Sequence, residues 1–222
     1  YDNGPDRINR GNLELIAPSI FVDETSSIIA TGAGYQPVLC QNGPGPAAFP
    51  EAGGRGGCAV RDSGGGGAHF GAGGRGTKDC PGSVCVFPRD WEENCGVYAG
   101  GTTCTAIANC RNGDGLPTVA GQAFAHSIWQ VEFGTAGGDA GCLDGDGWSN
   151  PQCVVGGPGG GRIVLAAVTP LGTGMLDIRG RILAEGRRGC GIKNDSGGGG
   201  AGGSILIVGD TVTIESTAVI SA

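Results

Sequence analysis

Methionine is nearly missing from this chain, with one in 222 residues, and histidine is scarce, with two. Aromatic residues make up only 5%. No apolar run approaches the roughly 18 residues that a membrane-spanning helix needs. A basic leader followed by an apolar core is also missing, and the first residue is Tyr1. The expectation is that a targeting segment has been removed. Basic residues are few, 14 against 21 acidic, for a net charge of −7. The arginines are dispersed, and no basic stripe with interleaved aromatics forms, which excludes nucleic acid as an expected partner. The acidity is read as a solubility feature. A capped apolar stripe of helical period is lacking too, so helix should be scarce.

Cysteine, by contrast, is abundant: Cys40, Cys58, Cys80, Cys85, Cys95, Cys104, Cys110, Cys142, Cys153 and Cys190. Zinc modules repeat close pairs such as C-x2-C with histidines nearby. The tightest spacings here are Cys80 to Cys85 and Cys104 to Cys110, and the histidines are His69 and His126 alone. An even count then reads as disulfides formed in an oxidising compartment. Glycine supplies 49 residues. Such a content usually signals disorder, but β-branched stretches flank the glycine tracts, and cross-links remove the entropy on which disorder depends.

An internal repeat organises the rest. Gly11-Asn12-Leu13-Glu14-Leu15 leads to Ile20-Phe21-Val22 and then Ile28-Ile29-Ala30. Gly203-Ser204-Ile205-Leu206-Ile207 leads, at the same offsets, to Val212-Thr213-Ile214 and Ile220-Ser221-Ala222. A third copy runs Gly161-Arg162-Ile163-Val164-Leu165, Leu176-Asp177-Ile178, Ile182-Leu183-Ala184, with a first gap six residues longer. Leu176, Ile178, Gly180, Ile182 and Ala184 alternate with polar residues, broken only by Leu183, as a half-buried strand would. Each copy reads as short strands joined by tight turns, and the chain as all-β. A second motif recurs identically: Asp62-Ser63-Gly64-Gly65-Gly66-Gly67-Ala68 and Asp195-Ser196-Gly197-Gly198-Gly199-Gly200-Ala201. Such tracts permit positive φ and close backbone approach. Close packing against a neighbouring coil or glycine run is the preferred reading over a flexible adhesive loop.

These motifs, with the glycine runs of 64–76 and of Trp129-Gln130-Val131-Glu132-Phe133-Gly134-Thr135-Ala136-Gly137-Gly138 leading towards 156–161, resemble the glycine-rich repeat regions of large secreted and cell-surface proteins. The resemblance implies a β-solenoid or β-helix-like stack and an extracellular, adhesive or wall-associated role, and it transfers no catalytic residue. The chain departs from that pattern in its many cysteines and its long irregular middle. The expected organisation is an N-terminal β-repeat over 1–33, a disulfide-stapled, loop-dominated insertion over 34–160, and C-terminal repeats over 161–222 that complete the same core.

Within the insertion, Cys142 and Cys153 bracket Asp144-Gly145-Asp146-Gly147-Trp148-Ser149-Asn150. Asp144, Asp146 and Asn150 are candidate calcium ligands, since oxygens two residues apart can converge on one cation. Trp148 occupies the third ligand position and no bidentate Glu follows, so a plain Asx/Gly turn is the stronger reading. No organic cofactor is expected. Asn194-Asp195-Ser196 fits the N-glycosylation acceptor pattern. His69 and His126 read as hydrogen-bonded packing residues, and Trp91, Trp129 and Trp148 as a small core rather than a sugar platform.

For catalysis the nearest carboxylate pairs are Asp23 with Glu24, which point to opposite faces if on a strand, and Asp177 with Glu185, which lie among arginines. Neither suits the paired acids of glycosidases, so no catalytic residue is assigned and the protein is not expected to be an enzyme. The preferred function is an extracellular structural subunit that polymerises with copies of itself into a surface fibre or matrix. A carbohydrate-binding adhesin that recognises glycans or other surface proteins is the runner-up, and a polysaccharide-active β-helix enzyme comes last. Leu13, Leu15, Val212, Ile214 and Ile220 are the candidate assembly edges, because terminal repeats normally need polar caps and uncapped strands invite pairing. The predicted shared core is Leu13, Leu15, Ile28, Ile163, Leu165, Ile178, Ile182, Ile205, Ile207, Val212 and Ile214. The cysteine reading is checked by mass spectrometry without reduction, which should find few or no free thiols. Free thiols at half of the positions would overturn it.

Overall fold

The computed structural model describes residues 11–37, 43–46, 48, 52–54, 64–73, 121–124, 131–138, 156–189, 191–192 and 195–222. The ten cysteines and Asn194 lie outside these residues, as does the candidate calcium loop. Each sequence copy becomes three short strands: β1 (Asn12–Ile16), β2 (Ser19–Val22) and β3 (Ser27–Ile29); β4 (Arg162–Ala167), β5 (Met175–Ile178) and β6 (Arg181–Leu183); and, after a two-residue pair β7 (Gly191–Ile192) and β8 (Asp195–Ser196), β9 (Ser204–Gly209), β10 (Thr211–Ile214) and β11 (Val219–Ser221). Among the described residues there is no helix.

The copies stack as three layers. The parallel sheets have the orders β1-β4-β9, β2-β5-β10 and β3-β6-β11, so the middle copy is the central strand of every one. The register repeats the sequence alignment: Leu13↔Ile163↔Ile205, Ile20↔Leu176↔Val212 and Ile28↔Ile182↔Ile220. The six extra residues of the middle copy stay outside the ladders, in the bend between β4 and β5. Asp210, on the neighbouring layer, fastens that bend. Its carboxylate accepts the Thr169 and Gly174 amides at 3.0 and 2.7 Å. The alternating run from Leu176 to Ala184 is two strands rather than one, because the chain turns at Arg179-Gly180, where both amides donate to the Val22 carbonyl. Its inward face is as expected: Leu176, Ile178, Ile182 and Ala184 are all buried.

One buried apolar core is formed by Ile20, Val22 and Ala30 of the N-terminal layer with Ile163, Leu165, Ala167, Leu176, Ile178, Ile182 and Ala184 of the middle layer. Leu13, Ile28, Ile205 and Ile207 pack against its edge. Leu15, Val212 and Ile214, expected in that core, are instead exposed. They sit on outer layers, where one side of each ladder has no further strand among the described residues.

The glycine tracts have their own architecture. Segments 134–138, 156–161 and 197–203 bond to one another in all three pairings. Gly134 and Gly137 donate to Gly160 and Gly157; Gly157 and Gly160 donate to Gly198 and Ala201; and Gly198 and Ala201 donate to Gly138 and Thr135, all at 2.7–2.9 Å. Each segment meets a given neighbour at every third residue. That is the period of polyproline-II, which has three residues per turn and no internal hydrogen bonds. Glycine serves here to let main chains touch, since positive φ occurs at Gly32 and Gly172 among the described glycines. A Cβ on Gly137 would lie 2.0 Å from the Gly198 oxygen. The two Asp-Ser-Gly-Gly-Gly-Gly-Ala motifs also meet, with the Gly67 amide donating to Gly199 at 2.9 Å. Thr135, fully buried in this region, accepts the Ala68 amide at 2.7 Å and has the Ala52 carbonyl 2.9 Å from its hydroxyl.

Gly137→Ala is therefore expected to destabilise the fold by about 1–3 kcal/mol through overpacking. Gly71→Ala, where an added methyl group meets nothing within 4 Å, should change stability by no more than about 0.5 kcal/mol. Urea midpoints of the two variants check this, and equal effects would contradict the close-packed reading.

Candidate functional site

Two features stand out once the layers are in place: the outer faces of the stack and a cleft at His69. Among the described residues, the outermost strands are β1, β2 and β3 on one side and β9, β10 and β11 on the other. The faces are not equivalent. On the C-terminal layer the inward positions Val212, Ile214 and Ile220 are 40%, 53% and 39% exposed, whereas their middle-layer partners Leu176, Ile178 and Ile182 are at most 1% exposed. On the N-terminal layer Ile20 and Val22 are buried and Leu13 is half-buried, while Leu15 is exposed beside Ile16, Phe21 and Ile29. The candidate edge residues thus divide between the two faces, and it is the inward positions that are the more open on the C-terminal face.

Charge follows the same layering. Residues 161–186 carry Arg162, Arg179 and Arg181 against Asp177 and Glu185, a net of +1. Residues 11–32 carry Glu14, Asp23 and Glu24 with no basic residue, and residues 203–222 carry Asp210 and Glu215 with none. Arg179 grips Asp177 at 2.7 Å and lies 5.2 Å from the centre of the Phe21 ring. Asp177, followed by Glu215 and Glu24 on the flanking layers, holds its guanidinium pKa above the ordinary value. Arg162 reaches Asn12 Oδ1 at 2.6 Å and Glu14 at 3.7 Å. A basic layer is thus held between two acidic ones.

Two of the four carboxylates considered for catalysis, Asp23 and Asp177, have other partners. Asp23 accepts the Thr25 hydroxyl and amide and the Ser26 hydroxyl at 2.7–2.9 Å, which closes the β2–β3 turn. The Thr25 hydroxyl, ahead of the other partners, lowers its pKa. Asp177 is in the pair with Arg179 described above. Among the described residues, no group of three or more His, Cys, Asp or Glu converges on a possible metal position.

The cleft, of about 570 Å³, lies between the glycine bundle and β9 and is lined by His69, Phe70, Ala72, Val131, Ser204 and Ile205 among others. The His69 Nε2 is 3.3 Å from Ser204 Oγ, which accepts the Glu132 amide at 3.0 Å. The His69 ring lies against Phe124, with centroids 5.3 Å apart. His69 is thus a packed, hydrogen-bonded residue, as its sequence setting indicated. Its pairing with Ser204, 135 positions away, had no local signal in the sequence. His126 and the three tryptophans lie outside the described residues.

No family model, curated protein or solved structure matches the chain.

Burial lowers the His69 pKa from its ordinary 6.5, with the Gly203 carbonyl pulling the other way. The folded protein therefore binds this proton less readily than the unfolded chain. Stability is complete above about pH 6.5 and is lost as the pH falls from there towards the folded-state value. His69→Gln should flatten that slope. Denaturation midpoints on either side of this window check it, and an unchanged slope in the variant would assign the effect to other groups.

Proposed function

We propose that this protein is an extracellular structural module, a β-solenoid segment that builds a surface fibre or matrix by joining its outer layers end to end. The observation that carries this reading is the row of inward-facing aliphatics left open on the C-terminal layer. Val212, Ile214 and Ile220 continue ladders whose inner members are sealed. Fully burying one such side chain contributes about 1.5–3 kcal/mol, and the outer edges carry main-chain groups able to accept another strand. The resemblance to glycine-rich regions of secreted and cell-surface proteins agrees with this placement, as does the cysteine content. The reading assigns no catalytic role and no cofactor.

A carbohydrate-binding role is the second reading. It is favoured by the cleft beside His69, where the Phe70 ring, 58% exposed, offers an apolar face next to the Ser204 hydroxyl. Glycan titration monitored at the Phe70 and His69 resonances tests it, and an unperturbed cleft across a broad glycan panel would exclude it.

For assembly, light scattering and electron microscopy at rising protein concentration are the direct tests, with Ile214→Lys as the comparison. The parent chain should form particles longer than one copy, and the variant should remain folded and stay monomeric. A parent that stays monomeric at high concentration, with its outer strands ordered, overturns the assembly reading.

A further inference from the structure

We infer that the joint pairs the C-terminal layer of one copy with the N-terminal layer of a second copy, and that a like-charge contact at Glu215 makes this joint tighten with salt. The inference rests on the end-to-end reading above and specifies its geometry.

The occupant follows from the ladders. The middle layer already receives an N-terminal layer on one side and a C-terminal layer on the other, all in parallel and in one register. Extending that register across a joint places Ile205 on Leu13, Ile207 on Leu15, Val212 on Ile20, Ile214 on Val22 and Ile220 on Ile28 of the next copy. Every inward position meets an aliphatic one. The contact is heterologous, so it repeats into an open filament rather than closing as a pair. The inward positions differ between the faces: those of β10 and β11 are open, while Ile20 and Val22 on the receiving side are already ordered in the core, beside exposed Ile16, Phe21 and Ile29.

Charge sets the cost. Within one copy Arg179 stands level with Glu215 on one side, where the Glu215 amide meets the Ile178 carbonyl, and with Asp23 on the other, where the Arg179 amide meets Val22. Glu24 and Glu215 both act on its guanidinium. At the joint the same row places Glu215 against Asp23 and Glu24 of the next copy with no arginine between them. Like charges directly opposite on neighbouring strands oppose pairing. Because they are exposed, salt screens them: the Debye length falls from about 30 Å at 0.01 M to about 3 Å at 1 M.

The test is sedimentation of the full chain over that range of sodium chloride, beside Glu215→Arg and Glu215→Gln, each checked for an unchanged β-sheet spectrum. The parent should associate about 2- to 5-fold more tightly at high salt, a factor typical of one exposed pair. Glu215→Gln should flatten the response and Glu215→Arg should invert it, which a general salting-out effect would not do. The same salt response in all three proteins would overturn the inference while leaving assembly standing. Monomers at every salt concentration, in all three, would overturn both the inference and the reading on which it rests.

Discussion

Main chain packed directly on main chain is the constraint on which the rest of this molecule depends. The glycine segments 156–161 and 197–203 bond to each other at Gly157–Gly198 and Gly160–Ala201. Two residues after Gly160 and three after Ala201 the same two segments enter β4 and β9, with Arg162 opposite Ser204. They reach the sheet already paired. The N-terminal layer is tied in by the same means, through Gly34 and Tyr35 bonding to Gly159. Side chains larger than hydrogen would separate these segments and, with them, the start of each ladder. A glycine content that in another setting would signal disorder is here the condition for register.

The sheets then divide the work unequally among three similar copies. The middle layer is covered on both sides, so its inward aliphatics are sealed, and its Arg162 and Arg179 lie beside acids of the outer layers. The outer layers repeat the same pattern with one neighbour instead of two. Their exposed Leu15, Val212 and Ile214 are a consequence of position in the stack, since they are aliphatic like their buried partners Leu165, Leu176 and Ile178. Burial in such a stack belongs to the layer as much as to the residue.

That distinction marks what could be read from the sequence. The copies aligned at Gly11, Gly161 and Gly203, and the ladders reproduce that alignment, because strand register follows the apolar pattern. The order of the layers was not legible: similar copies can stack in several orders, and placing the second copy, 161–186, in the centre depends on tertiary contacts. The turn at Gly180 was hidden, since alternation continues through it and period-2 reasoning does not register a corner. The glycine bundle had no periodic side-chain signal, as glycine offers none. The candidate edge residues Leu13, Leu15, Val212, Ile214 and Ile220 do fall on the outer layers. The cleft at His69 could not be foreseen, because its partner Ser204 belongs to a distant strand.

Amide hydrogen exchange tests the shared dependence on main-chain contacts most directly. The amides of Gly134, Gly137, Gly157, Gly160, Gly198 and Ala201 should be protected together with those of the middle layer, as members of one cooperative unit. Protection should extend to Ala136, Gly138, Gly159 and Gly200, whose amides donate to other neighbouring segments. Glycine amides that exchange at the rates of a free chain while β4, β5 and β6 stay protected would contradict the account, since the sheets would then hold their register without the bundle.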